Sequence, residues 1–485
     1  MAETRRRLDA NSTPKLPHEE EYETLNSHEE TSSHIDATVE RRLLRKIDFR
    51  LCSIAAILCS LNLLDSGIIS SASVTSMRND LRLYGNRYSV SIFIFTVSSI
   101  AFQLPSTVAV RKFGPRVFFT AITCAFGIVT LSTAFIHSWL EMIALRVLLG
   151  MCMSGIYPGL TCLISAWYRR SETQTRFAFL QTGQVTILAT GSIVNWALNH
   201  LDGKGGLAGW QYMFIVQGLI TVVIGIVSYF WMVDFPEHAH KTWYFLAEEE
   251  QEIAVSRIRS DRNDVEADPF TWGKVLVHAK DIKIYGYACM FFAVNIVSTS
   301  LSYFLPIILS GMGYDENESI LLSAPPYYWS VVPVIISSVV GDKYSLRGPV
   351  IIFNSLCLIV GFCMTGFADS LAARYIGTFL ATGAYVSNWA AVNTYAQTNL
   401  TGQWKRVFTA ASVIAMNGAG GIAGSFIVRQ QEAPRYPTAV WISIGSGFVL
   451  IGFVATFSSW FWYANKRQKA GKKILENTIG FRYTF

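Results

Sequence analysis

A chain of 485 residues that is 51% hydrophobic, 13% aromatic and only 15% charged has too little polar surface for an ordinary soluble protein, so its solvent is read as the bilayer. Its formal net charge of +6 does not mark a nucleic-acid binder, because the basic residues collect in alternate loops between apolar runs. The eight cysteines show neither a polar-loop pairing nor metal-ligand spacing, which argues against a disulfide framework or a metal centre.

Residues 1–44 are polar and acid-rich, as in Glu19-Glu20-Glu21, and have no apolar h-region, so they read as a disordered cytoplasmic tail. A spanning helix needs roughly 20 apolar residues, since lipid offers no partner to backbone N–H and C=O groups. About twelve stretches approach that length. The first six run Leu51–Ala72, Ser89–Val110, Val117–Phe135, Leu140–Ala166, Phe177–Leu198 and Gln211–Val233, within a bundle over 45–233. A polar linker over 234–281 follows, in which Leu246 to Arg259 place acids early and arginines late, the order that suits a helix dipole and predicts a short, solvated surface helix. The second six run Ile284–Ser310, Ser319–Val340, Pro349–Phe367, Leu371–Thr394, Val407–Arg429 and Thr438–Tyr463, within a bundle over 282–464, and a tail over 465–485 closes the chain.

A basic turn recurs in the two bundles, as Arg111-Lys112-Phe113-Gly114-Pro115-Arg116 and as Asp342-Lys343-Tyr344-Ser345-Leu346-Arg347-Gly348-Pro349. The two Gly-Pro pairs lie 234 residues apart, about half the chain, which points to duplication of a six-helix unit. In these turns Arg111, Gly114, Arg116, Asp342, Arg347 and Gly348 read as gating or structural elements. By the positive-inside rule the basic loops, and with them both termini, face the cytoplasm, with Arg78, Arg82 and Arg87 as the one contrary vote. Asn317-Glu318-Ser319 is a glycosylation acceptor in a short predicted outer loop.

No catalytic constellation and no Gly-rich phosphate loop with its lysine is present, so neither an enzyme nor an ATP-driven pump is expected, and no cofactor is called for. Charges within spans are the strongest functional signals, since each costs roughly 2.5–3.5 kcal/mol at a helix centre. Two stand out, Asp65 and Arg146. Helix rise puts them roughly 8 and 9 Å below the same outer surface, a depth match that allows an ion pair or a shared role with an anion and a proton. Uncharged polar residues within spans (Gln181, Gln184, Asn295, Tyr303, Tyr385, Asn388, Asn393 and Asn417) mark a polar interior, each open to the plainer reading of an interhelical hydrogen bond. Tyr157, Trp167, Tyr385 and Trp389 are candidates to stack on a ring.

From Arg45 onward the chain resembles the anion:cation symporters of the major facilitator superfamily, near the fungal allantoate, nicotinate and pantothenate permeases. The likeness rests on Arg45-Lys46-Ile47-Asp48, Phe113-Gly114-Pro115-Arg116, Ala144 to Gly150, Tyr157-Pro158-Gly159, Gly205 to Trp210, Leu305 to Ile308, Leu321 to Tyr327, Gly424 to Ile427 and Ala433 to Tyr436. It implies an all-α membrane fold of twelve helices in two pseudo-symmetric halves, alternating access, and proton-coupled movement of a small organic anion. Three departures accompany it. Ser66 follows Asp65 where such proteins commonly have arginine, Met153 occupies the place of an acid seven residues after the helix 4 arginine, and Gln217 replaces a usual Glu. Methionine cannot exchange a proton, which leaves Asp65 as the candidate proton carrier and Arg146 as the candidate anion contact.

The expected function is therefore uptake of a small organic carboxylate with protons, by a plasma-membrane monomer whose partners are that solute, protons and the bilayer, and not nucleic acid. An exporter of a secondary metabolite or xenobiotic is the nearest rival, and a non-transporting nutrient sensor the remote one.

Overall fold

The computed structural model describes residues 37–168, 170–236, 245–262, 277–344, 346–400, 403–470, 475 and 482–484. The expected tail over 1–44 lies outside these residues up to 36, and from Ala37 the chain is already helical. This first helix, α1 (Ala37–Ile47), buries Leu43 and Ile47 and exposes arginines, then passes through a π-helical turn (Asp48–Cys52) into α2 (Ser53–Ala72). The first bundle continues with a short α3 (Met77–Asp80), then α4 (Arg87–Phe113), α5 (Pro115–Thr133), α6 (Trp139–Met153), α7 (Ile156–Trp167), α8 (Arg170–Asn199) and α9 (Gly209–Trp231). The linker carries α10 (Glu248–Arg262). The second bundle comprises α11 (Ile282–Gly311), a short α12 (Glu316–Leu322), α13 (Ala324–Tyr344), α14 (Arg347–Phe367), α15 (Leu371–Thr398), α16 (Gln403–Gly424) and α17 (Pro437–Lys469).

Among the described residues nine helices are long and apolar enough to cross a membrane. The other three stretches expected as spans coincide with α8, α15 and α16, which fall short of that composition because they carry polar groups such as Gln181, Gln184, Asn388, Asn393 and Asn417. The break between α6 and α7 at Ser154-Gly155 has a local cause. Pro158 has no N–H to donate to the Ser154 carbonyl one turn earlier, which removes one helical hydrogen bond at this point.

The packing repeats between the bundles. In the first, α2 packs on α8, α4 on α6 and α5 on α9; in the second, α11 packs on α16, α13 on α15 and α14 on α17. The basic turns are less alike than their letters. Gly114 sits at φ +82°, open to glycine but not to other residues, with Pro115 starting α5, whereas Gly348-Pro349 lies inside the first turn of α14. The Arg116 guanidinium donates to the Tyr229 carbonyl at 2.6 Å and lies over the Tyr229 ring, while its backbone N–H meets Asp234. Arg111 points at the Cys162 thiol and Arg347 at the Thr394 carbonyl; the side chain of Asp342 lies outside the described residues.

The linker helix is docked rather than free in solvent. Ala254 and Ile258 are buried, Arg257 is 2% exposed and pairs with Glu40 of α1 at 2.6 Å, and Lys46 pairs with Glu250. This face of the molecule, where α1 begins and α17 ends, is called the terminal face below, and the opposite one the far face.

Candidate functional site

The buried apolar residues divide unevenly along the bundle axis. Toward the far face one continuous cluster joins both halves, from Ile68 and Leu188 to Val297, Tyr327 and Tyr385. Toward the terminal face each half has its own cluster, one around Leu58, Leu160 and Phe119, the other around Phe291, Tyr395 and Phe461. The halves are thus sealed together at the far face and part toward the terminal face. Hydrogen bonds between the halves follow the same division. Arg78 reaches Gln430, the Tyr88 hydroxyl donates to the Tyr303 carbonyl at 2.8 Å, Thr190 meets Tyr328, and Asn199 donates to Asn317, all toward the far face. Asn317, the glycosylation candidate, has its carboxamide engaged in this seal. In the loop that enters α17, burial pushes the Tyr436 phenol above its ordinary range, with nearby Arg78 opposing the shift.

Between the halves, on the terminal side of the seal, two helices expose polar stripes. On α7 these are Tyr157, Thr161 and Ser165, and on α15 Trp389, Asn393 and Gln397, each spaced by four residues so that they share a face. A lipid-facing stripe is apolar, as Leu219, Ile220, Val223, Ile226 and Val227 of α9 are, so the accessible polar stripes of α7 and α15 are assigned to a cleft between the halves rather than to lipid. The two stripes touch where the rings of Tyr157 and Trp389 meet edge to face at 6.1 Å.

The two intramembrane charges lie at the level where the far-face cluster gives way to the separate clusters, since the adjacent Leu64 packs on both. Arg146 Nη1 donates to Asp65 Oδ2 at 2.7 Å, with the side chains 3% and 1% exposed, while Asp65 Oδ1 has no hydrogen-bond partner among the described residues. Tyr88 and Tyr303 lie within Coulomb range of both charges. Beside the pair, Asn195 donates to the Gly67 carbonyl and to Ser71 and accepts from Gln217, linking α2, α8 and α9. A void of about 10 Å3, room for one water, opens between Gly67, Ser70, Ser302 and Tyr327, and the Ser70 hydroxyl finds no partner there among the described residues. Pro306 also lines it, in a helix where its missing N–H frees the Ser302 carbonyl.

The sequence candidates thus fall into separate places. Asp65, Arg146 and Tyr303 come together. Gln184 and Tyr385 are buried on α8 and α15. Asn295 donates to the Asn417 carbonyl, and Asn388, wholly buried, donates to Ser355, so both link helices. Asn393 lies on the accessible stripe and accepts from Gln397. Trp167 is fully buried, donates to the Asp234 carbonyl and packs on Phe245, away from the cleft. Tyr88 was missed, since at the mouth of a span beside Arg87 it reads as an interfacial residue. The hydroxyl-lined void was missed as well; its only trace in the sequence is the run Ser70-Ser71.

The family model described as the Major Facilitator Superfamily matches residues 55–425. The chain belongs to that superfamily. It is 30% identical to an uncharacterized transporter of Schizosaccharomyces pombe, over 84% of this chain and 80% of that one. It is 28% identical to the high-affinity nicotinic acid transporter of Saccharomyces cerevisiae, over 90% and 80% of the two chains. Among solved structures it resembles the xylose transporter XylE from E. coli in a partially occluded inward-open conformation, with a TM-score of 0.66 at 14% identity, covering 84% of this chain and 99% of that one. A bacterial homologue of the lysosomal transporter Spinster aligns with a TM-score of 0.58 at 13% identity, covering 88% and 98%. The chain is therefore a membrane-spanning transporter of the major facilitator type, and these structural likenesses bear on the fold alone.

Proposed function

We propose that this transporter takes up a small organic carboxylate together with protons, by alternating access of two six-helix halves, and that α8, α15 and α16 are the polar crossings that wall its cleft. The observation that carries the reading is the buried Asp65–Arg146 pair, with one carboxylate oxygen unpartnered. A proton on Asp65 neutralises it and releases the guanidinium, whose planar fork suits a solute carboxylate. Proton and anion then enter as a pair, and the site holds the same net charge when loaded as when empty. A homologue named for nicotinic acid transport adds a carboxylate-bearing solute to the candidates. The basic terminal face would be cytoplasmic, with the protein a monomer in the plasma membrane.

The test is uptake by the purified protein in liposomes, with an imposed inward proton gradient and labelled monocarboxylates that include nicotinate. Uptake collapsed by a protonophore is expected, and Asp65→Asn is expected to leave any remaining uptake independent of pH. Proton-driven uptake unchanged in Asp65→Asn would overturn the assignment of Asp65.

A further inference from the structure

Resting on the carboxylate reading above, we infer that the cleft also carries a ring-binding subsite on Tyr157 and Trp389, so that the solute is an aryl-alkanoate. Its aromatic ring would sit nearer the terminal face and its carboxylate deeper, at Arg146. Four observations place it. Tyr157 comes from the first half and Trp389 from the second, and their rings meet edge to face at 6.1 Å with an interplanar angle of 86°. Phe291 of α11 meets Trp389 in the same manner at 6.4 Å and 88°, extending the aromatic wall within the second half. Tyr157 is 40% exposed although it lies between the halves, and its stripe neighbours Thr161 and Ser165 are polar, so its open surface faces the cleft rather than lipid. Those neighbours are uncharged, and a π-face bordered by neutral hydroxyls selects for an aromatic edge or face.

The spacing sets the shape of the solute. Tyr157 follows Arg146 by eleven residues, roughly 16 Å of helix rise, and the break at Ser154-Gly155 lies between them. A ring held at Tyr157 and a carboxylate held at Arg146 therefore need a spacer, which benzoate lacks. An edge-to-face contact with each of two rings is expected to favour an aromatic ring over its saturated counterpart by about five- to ten-fold.

The test is equilibrium binding to the purified full-length protein of four matched probes: 5-phenylpentanoate, 5-cyclohexylpentanoate and the amide of each. The expected result is a phenyl-over-cyclohexyl preference of about five- to ten-fold within the acids and again within the amides, with acids above amides. Either Trp389→Leu or Tyr157→Leu is expected to bring the ring preference near one, and Trp389→Phe to keep most of it. Equal binding of phenyl and cyclohexyl acids, both above their amides, would overturn the ring subsite and leave the carboxylate reading standing. A ring preference with acids and amides equal would overturn the carboxylate reading, and with it the aryl-alkanoate, while keeping a ring contact. Binding by none of the four, or tighter binding of tetramethylammonium than of 5-phenylpentanoate, would overturn the inference. The wild-type ratios stand without any variant, so a misfolded substitution does not leave the matter open.

Discussion

Removing one member of the Asp65–Arg146 pair is expected to destabilise the protein far more than removing both. At a charge separation near about 4 Å and an effective dielectric of about 20, the attraction amounts to about 4 kcal/mol. Against it stands the cost of taking two ions out of water, several kcal/mol each after relaxation, so the intact pair contributes little net stability. Asp65→Leu loses the attraction and strands a guanidinium that is 3% exposed, and Arg146→Met strands a carboxylate that is 1% exposed. Each single change is expected to cost about 3–5 kcal/mol. The double variant, apolar and of similar volume, is expected within about 2 kcal/mol of the parent, a coupling of several kcal/mol. Denaturant titration of the three variants in mixed micelles, followed by tryptophan emission, measures this cycle. If both single variants stayed within about 1 kcal/mol of the parent, or the two costs simply added in the double, the pair would be solvated and the argument from burial would fail.

Three further outcomes follow from the same geometry. Tyr88→Phe removes the hydroxyl that crosses to the Tyr303 carbonyl, weakens the far-face seal by about 0.5–1.5 kcal/mol, and should raise the population of far-face-open molecules in label-to-label distance distributions across that face. Gly114→Ala meets ordinary van der Waals space but must hold φ +82°, so its cost of about 1–3 kcal/mol is backbone strain; Gly445→Ala, in helix with nothing within 4 Å of an added Cβ, should be neutral or stabilise by about 0.5–1 kcal/mol, and melting temperatures will rank the two. At the terminal face Arg257→Ala breaks a pair whose arginine is buried and should free the linker helix to protease, whereas Lys46→Ala breaks a half-exposed pair worth at most about 1 kcal/mol and should not.

Much of this was legible from single residues because lipid makes local rules strict. Apolar length marked the helices, and the depth match of Asp65 and Arg146 followed from helix rise alone, since both positions are measured from span ends that share a face. The linker helix was legible from its charge order, but its docking was not, because Glu40 and Arg257 lie more than two hundred residues apart and meet only when α1 folds back along the terminal face. The polar residues of the interior were legible as a class and not as individuals. Asn388 and Asn393 lie five residues apart on α15, yet one turns into Ser355 and the other onto the accessible stripe. A polar side chain in a span signals only that it needs a partner, and whether helix or water supplies it depends on how the halves sit together.

That arrangement also bounds the energy of the proposed cycle. The four cross-half hydrogen bonds of the far face contribute about 2–6 kcal/mol together, and the shared apolar cluster adds to the seal. Among the described residues the terminal face offers no comparable cluster between the halves, so opening the far face needs new contacts there, and Tyr157 and Trp389 already touch across the gap. A solute bound between those rings and Arg146 would bridge the halves where they part, and its binding energy would be spent on the closure that precedes far-face opening. In that proposal a proton on Asp65 would act in the same direction, because a guanidinium released from α2 would be free to hold the solute rather than to pin α6 to α2. The proposed coupling of proton and solute would then need no second acidic residue in the membrane, which accommodates Met153 at the position where the family resemblance implies an acid.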